Sequence, residues 1–141
     1  MIIACATNDG QTFVESHFGD ADKYDLYEMK KEGYRFLKSV KNHTEEEEGV
    51  HADPKKAKGI AFLLKQHDVE IGVSRIFGPN IKRVAKHFLP IIISEKNIKE
   101  GLSLLLNQYE IIIDALNKEN AGYLKINKEQ SEKNQRDGSC G

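Results

Sequence analysis

Apolar residues recur along this chain with two different periods, and the changes of period divide it into elements. Residues 2–7 are a short, almost wholly apolar run, as a strand buried on both faces reads. Residues 8–23 are rich in Asn, Asp, Gly, Ser and His and predict a long loop. Tyr24-Asp25-Leu26-Tyr27-Glu28-Met29 alternates apolar with polar, the period of a half-buried strand. Lys31-Glu32-Gly33 supplies a turn and residues 34–40 a second strand, so the pair predicts a β-hairpin. Residues 41–53 carry the acidic run Glu45 to Glu48 and no core positions, and predict a solvated loop. Asp53-Pro54 reads as an N-cap followed by proline at the first helical position. Ala57, Ile60, Ala61 and Leu64 share one face of the helix that follows. Residues 69–73 are the next strand. Gly78-Pro79 opens a helix with Ile81, Val84, Ala85 and Phe88 at helical spacing, and Pro90 stops it. Ile91-Ile92-Ile93 is a short strand. Asn97 can cap a further helix with a stripe from Ile98 to Leu116, either unbroken or divided near Asn107.

The order is strand, hairpin, then helix–strand–helix–strand–helix. Its second half is a βαβ pattern, which predicts parallel pairing with right-handed crossovers. The expectation is an α/β domain: a mixed five-stranded sheet with helices on both faces. It occupies residues 1–126, with 127–141 a flexible polar tail.

The composition narrows the class. Hydrophobic residues make up 39% and charged residues 30%, ordinary for one soluble globular domain, so disorder throughout is excluded. Net charge is -1, so no global basic field draws the chain to nucleic acid. The apolar runs are too short for a membrane span, and Met1 to Thr7 lacks the basic region and cleavage site of a signal peptide. The expected location is the cytoplasm. The two cysteines, Cys5 and Cys140, make neither a Cys-x-x-Cys site nor a disulfide framework. Cys5, in a buried strand, reads as a small inert hydrophobe, and Cys140 as an exposed thiol.

In open α/β sheets, ligands bind beyond the carboxyl ends of strands, where the strand order reverses. With the first strand central, the loops at residues 8–19 and 74–79 would meet there. The first contains Ser16-His17-Phe18-Gly19. A histidine there can donate a hydrogen bond, titrate near neutrality or ligate a metal, and Gly19 would let backbone approach a ligand. The second is Ser74-Arg75-Ile76-Phe77-Gly78-Pro79, where Arg75 adds a permanent cation with a planar fork. Free N–H groups near Gly78, Asn80 and Ile81, at the start of the helix, would face the same crevice. The chemistry suggested is capture of an anionic group beside a histidine, which also fits a binding module for a small anionic metabolite or a partner protein without metal.

Each signal also has a structural reading. His17 can be a solvated loop residue, Arg75 the partner of a nearby carboxylate, Gly78-Pro79 a plain helix start, and Phe18 and Phe77 packing. The Glu45–Glu48 run with His43 and His51 reads as a solvated loop before it reads as a cation site. Asp9, Asp20 and Asp22 could gather a divalent metal for phosphodiester hydrolysis, but loop acids are ordinarily just solvated. No Gly-x-Ser-x-Gly, Walker loop, His-Glu-x-x-His or Cys-x-x-Cys motif is present, and nothing marks a nucleophile with a base.

Ser16-His17-Phe18-Gly19, a few residues before Tyr24, resembles the Ser/Glu-His-Phe-Gly signature of the dinitrogenase iron–molybdenum cofactor biosynthesis family (NifX and NifB C-terminal-type domains). Residues 68–73 followed by Gly78-Pro79 resemble its second signature, and residues 2–10 also fit. The resemblance covers roughly residues 1–107. It implies a ribonuclease H-like α/β fold without catalysis. The implied role is a carrier that passes an iron–sulfur or iron–molybdenum type cofactor, or its precursor, between metallocluster donor and acceptor proteins in nitrogen fixation or general cluster assembly. Transferred by position, His17 becomes the residue nearest the cluster, and Gly19, Ser74, Arg75 and Gly78 shape the pocket. Cys140 would be an extra cluster ligand. The chain departs from the family in having fewer glycines before Gly78, an acidic run where relatives carry a glycine-rich loop, and no counterpart for the segment from Tyr109 onward.

Overall fold

The computed structural model describes residues 1–42, 54–79, 81–119 and 122–128, and of residues 54–58 the backbone alone. The acidic run Glu45–Glu48, His43, His51, the Asp53 cap, Asn80, Cys140 and the tail from residue 129 lie outside the described residues.

Six strands form one mixed sheet in the order β3-β2-β1-β4-β5-β6. These are β1 (Ile2–Thr7), β2 (Lys23–Lys30), β3 (Gly33–Lys41), β4 (Ile71–Ser74), β5 (Leu89–Ile93) and β6 (Leu124–Ile126). β2 runs antiparallel to both of its neighbours, and β1, β4, β5 and β6 pair in parallel. The helices are α1 (Pro54–Lys65), α2 (Ile81–Val84), α3 (Ile98–Asn107) and α4 (Tyr109–Leu116). β1 is interior, with the hairpin on one side and β4 on the other, as its apolar run implies.

Strand alternation divides the core between the two faces. Ile3, Cys5, Ile71, Val73, Ile91 and Ile93 pack with Ile98, Leu102, Leu105 and Ile112 of α3 and α4. Ala4, Ala6, Tyr24 and Leu26 turn the other way and pack with Ile60 and Leu64 of α1 and with Val84 and Phe88. Each fully buried Leu or Ile contributes about 1.5–3 kcal/mol. Cys5 is wholly buried, and burial pushes its thiol up, so it packs as the inert hydrophobe its position implies.

Four features differ from the sequence-based expectation. The sheet has six strands and not five: Leu124-Lys125-Ile126 pairs with Ile91–Ile93, extending the sheet past the expected edge. Pro90 does not stop a helix but lies inside β5, paired with Gly72. Leu89 N–H donates to the Glu70 carbonyl, so the donor-less Pro90 nitrogen points to the other side, where pairing with β6 starts only at Ile91, opposite Leu124. The helix expected from Pro79 is only the single turn Ile81–Val84, because the backbone tightens there: Lys86 and His87 bond three residues back, to Arg83 and Val84. Asn97 occupies the N-cap of α3 in extended conformation but makes no side-chain cap bond. The Ile98–Leu116 stripe divides at Gln108, one of the two arrangements its pattern allowed.

β3 forms the outer edge. Leu26 pairs with Lys38 but Tyr27 with Phe36, so Leu37 is the extra residue of a bulge. The loop after β1 is held by Asp9. Its Oδ1 accepts the N–H groups of Gln11 and Thr12 at 2.8 Å each, and its Oδ2 accepts the Thr12 hydroxyl at 2.9 Å. These donors favour the ionised carboxylate and hold its pKa down to about 2.

Two predictions follow from this packing. A Cβ on Gly72 would run into the buried Phe88 ring, so Gly72→Ala should destabilise the fold by about 1–3 kcal/mol in urea unfolding. Asp9 titrates lower when folded than its ordinary value near 4. Its contribution is therefore present above that value and is lost as pH falls toward about 2. In Asp9→Ala, the fall in thermal midpoint across that window should be shallower than in the unmodified chain.

Candidate functional site

The chain leaves β1 at Thr7 and returns to β2 at Lys23; on the way it crosses the end of β4. His17 pairs with Ile76 in an isolated parallel bridge, with extended backbone at φ −66° and ψ 153°. Phe18 N–H donates to the Ile76 carbonyl at 2.8 Å, and one turn of 3-10 helix, Phe18–Asp20, follows. The Phe18 ring stacks on Phe77 with centroids 4.8 Å apart and planes 9° apart. Tyr24 and Phe88 flank it at 4.9 and 5.6 Å. Buried Tyr24 donates its hydroxyl to the Phe18 carbonyl at 2.9 Å, and burial pushes that phenol up. Such aromatic contacts are worth about 0.5–1.5 kcal/mol each beyond area burial. Phe18 and Phe77 are therefore packing residues, and they press His17 and Gly78 together.

Gly78 has φ +76°, a conformation that favours glycine. A Cβ there would lie 2.6 Å from His17 Nδ1 and 2.9 Å from Cγ and Cε1. The imidazole thus lies against glycine backbone by its Nδ1 edge, leaving Nε2 on the far edge. Its side chain is 49% exposed, and Asp20 Oδ2 is 4.0 Å from Nδ1, too long for a hydrogen bond. Gly19 is tied from the hairpin, its carbonyl accepting from Asn42 Nδ2 at 3.0 Å. Ser74 ends β4 wholly buried, and among the described residues its hydroxyl has no hydrogen-bond partner. Its row across the sheet pairs it with Ile92.

The two loops therefore converge, and His17 and Gly78 touch. Arg75 stands elsewhere: it lines a cleft of about 420 Å3 with Glu15, Ile76, Ile92 and Lys125, and His17 is not among the residues that line it. Ile76 belongs to both features, as the cleft wall and as the partner of His17. Of the free amides expected beyond Pro79, that of Ile81 is used within the turn, and Asn80 lies outside the described residues. Ile81 N–H donates to the Gly78 carbonyl at 3.3 Å, and a single turn sums few peptide dipoles. Among the described residues no three His, Cys, Asp or Glu side chains gather to hold a metal ion, so Asp9, Asp20 and Asp22 do not make a divalent site. Asp9 is a loop staple instead.

Glu15 and Lys125 escaped sequence reasoning. Glu15 adjoins the histidine motif without any special spacing, and Lys125 sits on a strand the pattern did not predict. A Nε2-bearing imidazole held rigidly on a glycine, open to solvent on one side, can ligate a metal or donate a hydrogen bond. Among the described residues no helix is long and apolar enough to cross a membrane.

No curated protein matches the chain. A profile of the family described as dinitrogenase iron–molybdenum cofactor matches residues 1–108. The matched segment carries β1 through α3 and stops at the Gln108 joint, leaving α4 and β6 beyond it. Covering both converging loops and most of the sequence, that match places the chain in the dinitrogenase iron–molybdenum cofactor family.

Proposed function

We propose that this protein is a non-enzymatic carrier that binds an iron–sulfur or iron–molybdenum type cofactor, or its precursor, and passes it between cluster donor and acceptor proteins in the cytoplasm. Membership of the family implies a part in the biosynthesis or binding of that cofactor. The single observation that supports a site in this chain is the His17 imidazole lying on Gly78 where the two loops join.

In this reading the cluster is cargo. His17 ligates it through Nε2, and Gly78 and Gly19 let it approach the backbone. The buried Ser74 hydroxyl, at the foot of the second loop, is available as a hydrogen-bond donor. Arg75 lends positive charge from the adjoining cleft, which suits anionic cargo. Cys140 supplies a further thiolate. The ribonuclease H-like reading of the fold belongs to the same proposal. It is supported by the run β3-β2-β1-β4-β5 with β2 antiparallel.

The full chain incubated anaerobically with ferrous iron and sulfide should turn brown, with visible charge-transfer absorption. His17→Ala should bind more weakly. Gly78→Ala, which displaces the ring without removing it, should cost about 10–100-fold in affinity, the usual range for groups that orient a ligand. Both variants should keep the far-ultraviolet circular dichroism of the unmodified chain. A protein that stays colourless under these conditions, or a His17→Ala variant that loads equally well, overturns the reading.

A further inference from the structure

Apart from Arg75, the cleft beside it is built from residues that the carrier reading does not use. It opens over the carboxyl ends of β4, β5 and β6, and its volume of about 420 Å3 suits a small molecule. Ile92, partly buried, and Ile76, 43% exposed, give it an apolar surface, with Ile93 and Ile126 buried beneath. An apolar surface of this kind gains by being covered.

The charges over this lining are unspent. Arg75 is half-buried, yet among the described residues its guanidinium makes no hydrogen bond or ion pair. Lys125 likewise has no partner among them. A partly buried guanidinium with five donors and no acceptor is a standing demand for an anion. The sheet register sets the two cations apart. Ser74 pairs with Ile92 and Ile92 with Lys125, so Arg75, one residue past Ser74, stands about two strand spacings (roughly 10 Å) from Lys125. They flank the end of β5 from opposite sides.

Glu15 lines the same cleft. A carboxylate there repels a highly charged ligand, which disfavours polyphosphates. The planar fork of Arg75 matches a carboxylate in bidentate fashion.

We propose that this cleft binds a small organic acid with an aliphatic body, its carboxylate held between Arg75 and Lys125 and its chain laid on the isoleucines. The site depends on β6, which lies beyond the residues that the family profile matches. It requires no metallocluster.

Hexanoate is a suitable probe, titrated into the full-length protein and followed by two-dimensional amide NMR. Perturbations should centre on residues 74–76, 92–94 and 124–127. Arg75→Gln and Lys125→Gln should each weaken binding by about tenfold, the scale of losing one charge-assisted hydrogen bond. Hexan-1-ol and inorganic phosphate should each bind more weakly than hexanoate, since one lacks the charge and the other the body. His17→Ala should bind hexanoate unchanged, so failure of the carrier reading leaves this result intact. The proposal is overturned if hexanoate shifts no resonances there, if both charge variants bind as well as the unmodified chain, or if phosphate or hexan-1-ol binds as tightly.

Discussion

The contact on which the functional end of this molecule depends is the seat of Phe18. One aromatic ring, buried against Phe77, Tyr24 and Phe88, joins a loop that leaves β1 to a loop that leaves β4. The backbone repeats the join, through the Phe18 N–H to the Ile76 carbonyl. Because Phe18 is anchored, its neighbour His17 has little freedom, and because Phe77 is anchored, Gly78 is delivered against the imidazole. The polar chemistry at the surface is thus positioned by apolar packing beneath it. Gly72 belongs to the same arrangement, since the rings of Phe18 and Phe88 occupy the space where its side chain would be.

The sheet places two neighbouring features along one edge. On the β1–β4 side is the imidazole on its glycine; on the β4–β6 side is the cleft with two cations that have no partner among the described residues. Ile76 separates them. The carrier reading rests on the first and on family membership, and the organic-acid reading on the second and on a strand the family match does not reach. Their partial independence is physical: one depends on loop convergence, the other on the register of β6 against β5.

Much of the architecture was legible because it is written in local periodicity. β1 to β5 declare themselves by apolar runs or alternation, and the hairpin by its glycine turn. β6 was not, because three residues among polar neighbours carry no period; only pairing with Ile91–Ile93 makes them a strand. Pro90 misled because a proline's effect depends on which neighbour its nitrogen would face, which is a fact of sheet order. The convergence of His17 with Gly78 was inferable from the rule for strand ends. The turning of Arg75 into a separate cleft was not, since side-chain direction past the end of a strand follows no period. Asp9 carried a readable signal: an aspartate with amides two and three residues ahead favours bonding its own backbone over ligating a metal.

The two borders of the sheet are unlike. β6 offers only three residues, whereas β3 offers nine, most of them exposed and including Phe36 at 53%. A flat, sticky border of that length would invite copies to stack edge to edge. Here the bulge at Leu37 bends it, and Lys38 and Lys41 put positive charge along it, while Arg35 is paired with Glu28 at 3.0 Å. Bend and charge together oppose the pairing of two such borders, a brake on fibrous self-assembly built into the edge itself.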